Sequence, residues 1–289
     1  MEWIDRLNKA IEYIEDNLDG EINYEYAARI ACCSAFHFQR MFGYMAGVPL
    51  SEYIRRRRMT LAAFDLQATD IKIIDLAMKY GYDSPTAFNR AFRNIHGTAP
   101  SKARLKGMSL KAFSRISFTI FVKGDAQMNY KIEKKEAIRI VGVKKHMDMS
   151  IEECFEEVPR LWQKTTQSGE IPQIMSLLNE PPFGLLGVST CMNGKDFDYY
   201  IAVATDKKTP SGMEEYEIPA GTWAVFECVG SMPQAIQELQ KRIVAEWLPT
   251  SGYEYANAPD IEVYFEGDIK SPEYRSEVWL PIVKKEMLP

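Results

Sequence analysis

The chain has 289 residues, 46% of them hydrophobic, which is too many for one ordinary core and suits two. Its net charge of −5 averages unlike parts: residues 1–20 carry −4, residues 21–115 carry +8 and residues 116–289 carry −9. This composition excludes wholesale disorder, no run reaches the roughly 18–20 uncharged apolar residues of a membrane helix, and an odd count of 5 cysteines speaks against a secreted disulfide framework. With no signal-peptide core at Met1–Arg6, the expectation is a cytoplasmic protein of two domains.

In chain order, Trp3, Ile4, Leu7, Ile11, Ile14 and Leu18 recur every three or four residues and predict an amphipathic helix over 3–18. From Asn23 to Arg104 short helical runs follow, with Ser34, Asp70 and Ser84 as caps, so this stretch reads as all-α. An offset of 50 residues aligns Ala27 with Ala77, Ser34 with Ser84, Phe38 with Phe88, Arg40 with Arg90, Phe42 with Phe92, Gly47 with Gly97 and Ser51 with Ser101. Each copy is a helix, a tight turn and a second capped helix, the helix-turn-helix pattern. Phe38 and Phe42, like Phe88 and Phe92, lie on the packing face of the second helix and leave the opposite face free. A basic block beside an acidic one implies a polyanion as partner of the first only.

The segment Gly81-Tyr-Asp-Ser-Pro-Thr-Ala-Phe-Asn-Arg-Ala-Phe-Arg-Asn-Ile-His-Gly-Thr-Ala-Pro-Ser-Lys-Ala-Arg104 closely resembles the signature of the AraC/XylS family. Ser34–Phe42 and Tyr53-Ile-Arg55 match the first half of the same pattern, so the resemblance covers about residues 3–106. It implies two helix-turn-helix units, bridged by a helix near 50–67, that enter successive major grooves on one face of double-stranded promoter DNA. Phe36, Gln39 and Arg40 fall on the reading positions of the first unit, and Pro85, Thr86, Asn89 and Arg90 on those of the second. Glutamine pairs with adenine and arginine with guanine, each worth about 1–3 kcal/mol of discrimination. Pro85 departs from a polar reader and suits a first helical position.

Arg55-Arg56-Arg57-Arg58 is the densest charge run. On a helix only some of the four reach one surface, so Arg55 is the candidate phosphate contact and the others are expected exposed or paired with acids such as Glu52 and Asp65. His37 and His96 lack a second ligand at metal spacing and read as satisfied helix histidines; Cys32 and Cys33 read as buried thiols in a turn. No metal or cofactor is expected.

A linker is expected near 107–115, then a strand, Ile116-Ser-Phe-Thr-Ile-Phe-Val122, that joins the second domain. Alternating strands follow at 128–135, 137–145, 184–191, 198–204, 213–218, 222–229, 260–266 and 276–283, with helices at 150–168 and 232–248. The order strand, helix, strand, strand occurs twice, and two such units side by side leave a central cleft for a ligand. The domains are therefore 1–107 (all-α, double helix-turn-helix), 108–127 (linker and leading strand) and 128–289 (α+β), giving an α + β chain of two domains.

Tyr216–Phe226, Asp260–Tyr264 and Glu277–Pro281 resemble the GyrI-like small-molecule-binding family over about residues 128–285. The two likenesses together resemble the Rob-type regulators of the AraC family. They imply an aromatic pocket with an acidic floor for lipophilic, often cationic compounds. Period-two alternation puts Glu277 and Trp279 on one face of a strand, and Glu262, Tyr264 and Glu266 on one face of its neighbour. Trp223, Trp162, Phe183 and Trp247 are further large aromatics, and a carboxylate among aromatic faces suits a cation. Core packing and solvent exposure are the competing readings of these side chains. The function expected is a ligand-responsive, DNA-binding transcriptional activator, with RNA polymerase as a further partner. A small-molecule hydrolase and a protein-docking module are the alternatives for the acidic half. Against the hydrolase, no nucleophile–base pair, metal spacing or phosphate loop is found there, and His146 is its only histidine.

Overall fold

The computed structural model describes residues 3–105, 107–119, 127–147, 151–190 and 197–284, and the chain divides into two units, Met1–Thr119 and Ile120–Pro289. The first unit holds α1 (Trp3–Asp16), α2 (Tyr24–Ile30), α3 (Ala35–Ala46), α4 (Leu50–Ala68), α5 (Ile73–Lys79), α6 (Pro85–His96) and the short α7 (Pro100–Ala103). The apolar stripe of α1 buries Leu7, Ala10, Ile11 and Ile14 in a core shared with Ala28, Phe38, Phe42 and Tyr53. A second core gathers Met59, Leu66, Leu76, Ala77, Phe88 and Phe92. The long α4 bridges them, giving Leu50, Tyr53 and Ile54 to the first core and Met59, Ala62, Ala63 and Leu66 to the second. At about 1.5–3 kcal/mol for each large apolar side chain buried, these two cores supply most of the drive to fold.

The internal repeat is present, with a slip that the residue alignment missed. Ser34 and Ser84 cap α3 and α6 by accepting from the amides of His37 and Ala87, and Gly47 and Gly97 close both helices at φ 69° and 73°. The offset of 50 holds from those caps onward. Ahead of them, the amide of Cys33 donates to Ala28 O (3.1 Å) and that of Tyr82 to Ala77 O (2.9 Å), so Ala77 matches Ala28 and not Ala27. The second turn is one residue longer. Its left-handed residue is Gly81 (φ 76°), and the first turn has Cys32 (φ 58°) at that place.

The expected leading strand is not found in its described part, and residues 120–122 lie outside the described residues. Residues 107–119 belong to the first unit, where they cross both helical cores without entering a sheet. Leu110 and Phe113 pack on the second core, Ile116 and Phe118 on the first. Over residues 116–119 the run that reads as a strand is apolar because Ile116 and Phe118 cover helices.

The second unit begins with β1 (Tyr130–Lys135), β2 (Ile138–Met147), α8 (Ile151–Gln167), α9 (Glu170–Met175), β3 (Leu185–Ser189), β4 (Phe197–Ala204) and β5 (Glu214–Ile218). It continues with β6 (Gly221–Val229), α10 (Gln234–Arg242), a π-helical turn (Ile243–Trp247), α11 (Leu248–Thr250), β7 (Tyr253–Tyr255), β8 (Asp260–Tyr264) and β9 (Arg275–Lys284). The sheet is antiparallel in the order β1-β6-β9-β8-β3-β4-β2-β5, with β7 on the far end of β9. The duplication is plain: β2-α8-β3-β4 and β6-α10-β8-β9 meet at β3 and β8, where Gly187 stands opposite Glu262.

Each repeat receives the strand that precedes the other. β1 pairs with β6, and β5 pairs with β2. Two residues, Glu136-Ala137 and Pro219-Ala220, join each exchanged strand to its own repeat. So short a link spans about 11 Å at most, so the ends of the sheet must approach each other and the sheet curls. Ile140, Leu186, Val188, Trp223, Val225, Ile261, Val263 and Trp279 fill one face of it. The helices cover the other, as contacts from α8, α9 and α10 to the strands show.

Candidate functional site

Helix α3 presents Phe36, Gln39 and Arg40, each half-buried, opposite the buried Phe38 and Phe42. The Arg40 guanidinium lies 5.5 Å from the Tyr44 ring centroid and donates from Nε to its hydroxyl (3.1 Å), so the side chain is held along the helix. Helix α6 presents Thr86 and Arg90 fully exposed. Asn89 is half-buried, and its Oδ1 is enclosed without a hydrogen-bond partner among the described residues. Arg93 and Asn94 share the exposed face of α6 with Arg90, and the sequence reading passed over them. Their spacing of three and four from Arg90 was the available signal.

Every arginine of the run is engaged within the unit. Arg55 and Arg56 both pair with Glu52. Arg55 is the more accessible of the two, at 41% against 12% for Arg57. Arg57 is bidentate on Glu15, through Nε (2.9 Å) and Nη2 (2.7 Å), and Tyr53 donates to the same carboxylate at 2.5 Å. The hydrogen bond to Glu15 holds the Arg57 guanidinium above its ordinary pKa, and burial does the same for the Tyr53 phenol. Arg58 donates to the carbonyls of Leu18 (2.9 Å) and Gly20 (2.6 Å). Asp65, expected as an arginine partner, takes Lys79 and Tyr80 instead (both 2.8 Å).

Of the other candidates, His37 is buried against the Ser34 hydroxyl (2.9 Å). His96 accepts at Nδ1 from the Lys111 amide (3.3 Å) and donates from Nε2 to Met59 O (3.0 Å), and burial lowers its pKa. Cys32 corrects the expectation of two buried thiols, since it is exposed at the tip of its turn and Cys33 is only half-buried.

In the second unit the strand register divides the expected ligand residues between two faces. Glu262 and Tyr264 are on the helix-covered face of β8, whereas Glu277 and Trp279 pair across β9 onto the opposite face with Ile261 and Val263. On the helix-covered face the groups converge. Gln240 of α10 donates to Glu262 Oε1 (2.6 Å), and the Tyr264 hydroxyl donates to Oε2 (2.9 Å). Trp162 of α8 donates to the Tyr199 hydroxyl (2.9 Å) and meets Tyr264 edge-on at 5.1 Å. Glu262, Tyr264 and Trp162 keep partial solvent access, while Tyr199 and Gln240 are buried. Burial pushes the Tyr264 phenol well above its usual range, with the Glu262 charge adding to the effect. Gly187 makes the room: a Cβ there would lie 2.5 Å from the Tyr199 hydroxyl and 3.1 Å from Glu262 Oε2. Tyr199 and Gln240 were missed because neither stands in the short strands that drew attention.

The Glu277–Trp279 pair does form a carboxylate–aromatic cage, and the chain fills it. The Lys135 ammonium of β1 sits 4.6 Å from the Trp279 ring centroid, and Trp279 Nε1 donates to Glu277 (2.7 Å). Trp223 is wholly buried, bonded to Pro259 O (3.2 Å). Trp247 stacks with Tyr253 and packs edge-on to Phe226 and Tyr130. Phe183 is 63% exposed, and Glu266 is exposed as well. These residues pack or face solvent.

Comparison with known proteins follows the same division. Residues 128–283 match the GyrI-like small molecule binding domain, and residues 27–106 match a helix-turn-helix domain. The HTH-type transcriptional activator AarP of Providencia stuartii is 38% identical over 99 residues, which is 34% of this chain and 73% of AarP. The regulatory protein SoxS of Salmonella typhimurium is 39% identical over 94 residues, 32% of this chain and 88% of SoxS. A solved structure of SAV2435 bound to tetraphenylphosphonium is similar with a TM-score of 0.50 at 24% identity, covering 54% of this chain and 94% of that one. At that identity the likeness shows the fold. Among the described residues no helix is long and apolar enough to cross a membrane.

Proposed function

Since the chain belongs to the AraC-type transcription regulators that carry a GyrI-like domain, we propose that it acts as an activator at promoters whose effector is a lipophilic cation held at Glu262. DNA binding and small-molecule binding are the functions of its two domains; the effector class, the direction of regulation and the residue roles are the proposal. The observation that carries it is the arrangement around Glu262. A partly accessible carboxylate, braced by Gln240 and Tyr264, stands among the rings of Trp162, Tyr199 and Tyr264. Direct charge and ring quadrupoles favour the same cationic guest.

In the first unit the exposed faces of α3 and α6 would enter successive major grooves, roughly 34–36 Å apart along the duplex. Arg40 and Arg90 are the readers the geometry supports best, with Gln39 and Thr86 beside them and Arg55 on a phosphate. Contact with RNA polymerase and residence in the cytoplasm belong to the same reading. The hydrolase reading is not favoured, since the helix-turn-helix match and the activator and regulator relatives point to a transcription factor.

Two titrations test the proposal. Binding to promoter fragments from around the protein's own gene, against random duplex, should show a specific site with a steep salt slope; equal affinity at every salt concentration would remove the sequence-reading role. Tetraphenylphosphonium should bind the full chain and lose at least about tenfold in affinity on Glu262→Gln, a loss of one charge contact. An unchanged dissociation constant would remove Glu262 from the site.

A further inference from the structure

Residues 107–119 carry an inference beyond the two binding sites. Four backbone amides of this segment donate to side chains of the helices beneath it. Lys111 N reaches His96 Nδ1 (3.3 Å) at the end of α6, and Phe113 N reaches Thr60 Oγ1 (3.0 Å) on α4. Ile116 N reaches the Tyr53 hydroxyl (3.1 Å), also on α4, and Phe118 N reaches Asn8 Oδ1 (2.8 Å) on α1. Two carbonyls are held as well: Phe113 O accepts from Arg57 Nη1 (2.5 Å), and Phe118 O from Asn8 Nδ2 (2.9 Å). Thr60, Tyr53 and His96 are buried and Asn8 is half-buried, so these bonds are partly shielded from water.

The segment therefore touches both helix-turn-helix units and the helix between them. One end is tied to α6, the second helix of the second helix-turn-helix. The other is tied to α1, which packs on the first. Its apolar side chains fill both cores. Hydrogen bonds at four places along one run fix its path, and a fixed path across two bodies fixes the bodies relative to each other.

We propose that residues 107–119 form a brace that sets the spacing between the two recognition helices, and that Asn8, Tyr53, Thr60 and His96 are positioning residues for reading two grooves at once. The proposal rests on the DNA-reading role of α3 and α6. It assigns those four side chains a part in recognition although none of them faces the duplex.

The test uses the full chain and a duplex selected by that chain from a random-sequence library. Single base pairs are then inserted or deleted between the two contacted elements, each turning one element by about 34° relative to the other. The braced protein should lose about tenfold or more per step. Thr60→Val and Asn8→Ala should flatten that dependence to about threefold or less while affinity for one element alone stays within about twofold; Thr60→Ser, which keeps the hydroxyl acceptor, should restore the steep profile. A spacing profile in Thr60→Val and Asn8→Ala as steep as in the parent would overturn the brace. Hydrogen exchange on the unaltered chain gives a second, independent reading. The amides of Lys111, Phe113, Ile116 and Phe118 should be protected, and exchange at free-chain rates would also overturn it. If no duplex is selected at all, the DNA-reading premise fails and the brace with it; if selection succeeds, only the brace is at stake.

Discussion

Replacing Glu15 with alanine isolates an ion pair of the helical unit that is largely shut away from water. Its side chain is 8% exposed and that of Arg57 12%. The carboxylate accepts from Arg57 Nε, Arg57 Nη2 and the Tyr53 hydroxyl. In Glu15→Ala the largely enclosed guanidinium keeps Phe113 O as an acceptor but loses its counter-charge, and the Tyr53 hydroxyl loses its acceptor too. Breaking a buried pair by removing one partner costs about 3–5 kcal/mol, of which the orphaned hydroxyl accounts for about 1–3. At roughly 3–5 °C per kcal/mol for a unit of this size, the melting transition of the helical unit should fall by about 10–20 °C. Circular dichroism of the full chain, followed in about 0.15 M and 1 M salt, measures this, and the loss should be nearly salt-independent because little screening reaches the pair. The double variant Glu15→Ala/Arg57→Met should recover part of the loss, since it leaves no unpaired charge. A loss under about 1 kcal/mol, or one that vanishes in high salt, would mean the pair behaves as a surface bridge and the reasoning fails.

Three further outcomes follow from other sites. Cys32→Gly should stabilise the unit by about 1–2 kcal/mol, because a side chain at φ 58° carries a left-handed cost that glycine lacks, and an unchanged denaturant midpoint would refute it. Burial lowers the pKa of His96, so its neutral form stabilises the fold above the unfolded value of about 6.5, and that contribution is lost as pH falls through the folded value. Melting temperature should thus drop more between pH 7 and pH 5 in the parent than in His96→Gln, and parallel profiles would count against it. Gly187→Ala should abolish tetraphenylphosphonium binding with little change in secondary structure, as the new Cβ intrudes between Tyr199 and Glu262. Binding that survives at full affinity would show that the cation does not sit there.

Periodicity and capping made most of the architecture legible. Strands predicted at 128–135, 184–191 and 222–229 appear as Tyr130–Lys135, Leu185–Ser189 and Gly221–Val229; residue 191 itself is outside the described set. Ser34 and Ser84 cap as expected because their side chains satisfy amides that no helix can. What local pattern could not reach was which strand pairs with which. Alternation puts Glu277 with Trp279 and Glu262 with Tyr264, but only register shows that the two pairs occupy opposite faces. The partners of Arg57 and Asp65 were equally out of reach, since Glu15 is 42 residues from Arg57 and no local rule connects them. The segment at 116–119 misled for a related reason: a covering strap and a strand both need apolar, β-branched residues, and only the neighbour decides between them.

The exchange of β1 and β5 has a consequence for how the second unit comes together. Tyr130 lies beside Phe226, so that pairing must wait for most of the unit to emerge from the ribosome. Cut between β4 and β5, the chain would yield two fragments, each holding the edge strand the other lacks. Neither could complete its own sheet, and each would present an open ladder that only the other fits. The unit is therefore built as a split reporter, whose halves regain a folded sheet, and the Glu262 carboxylate its surroundings, only on meeting.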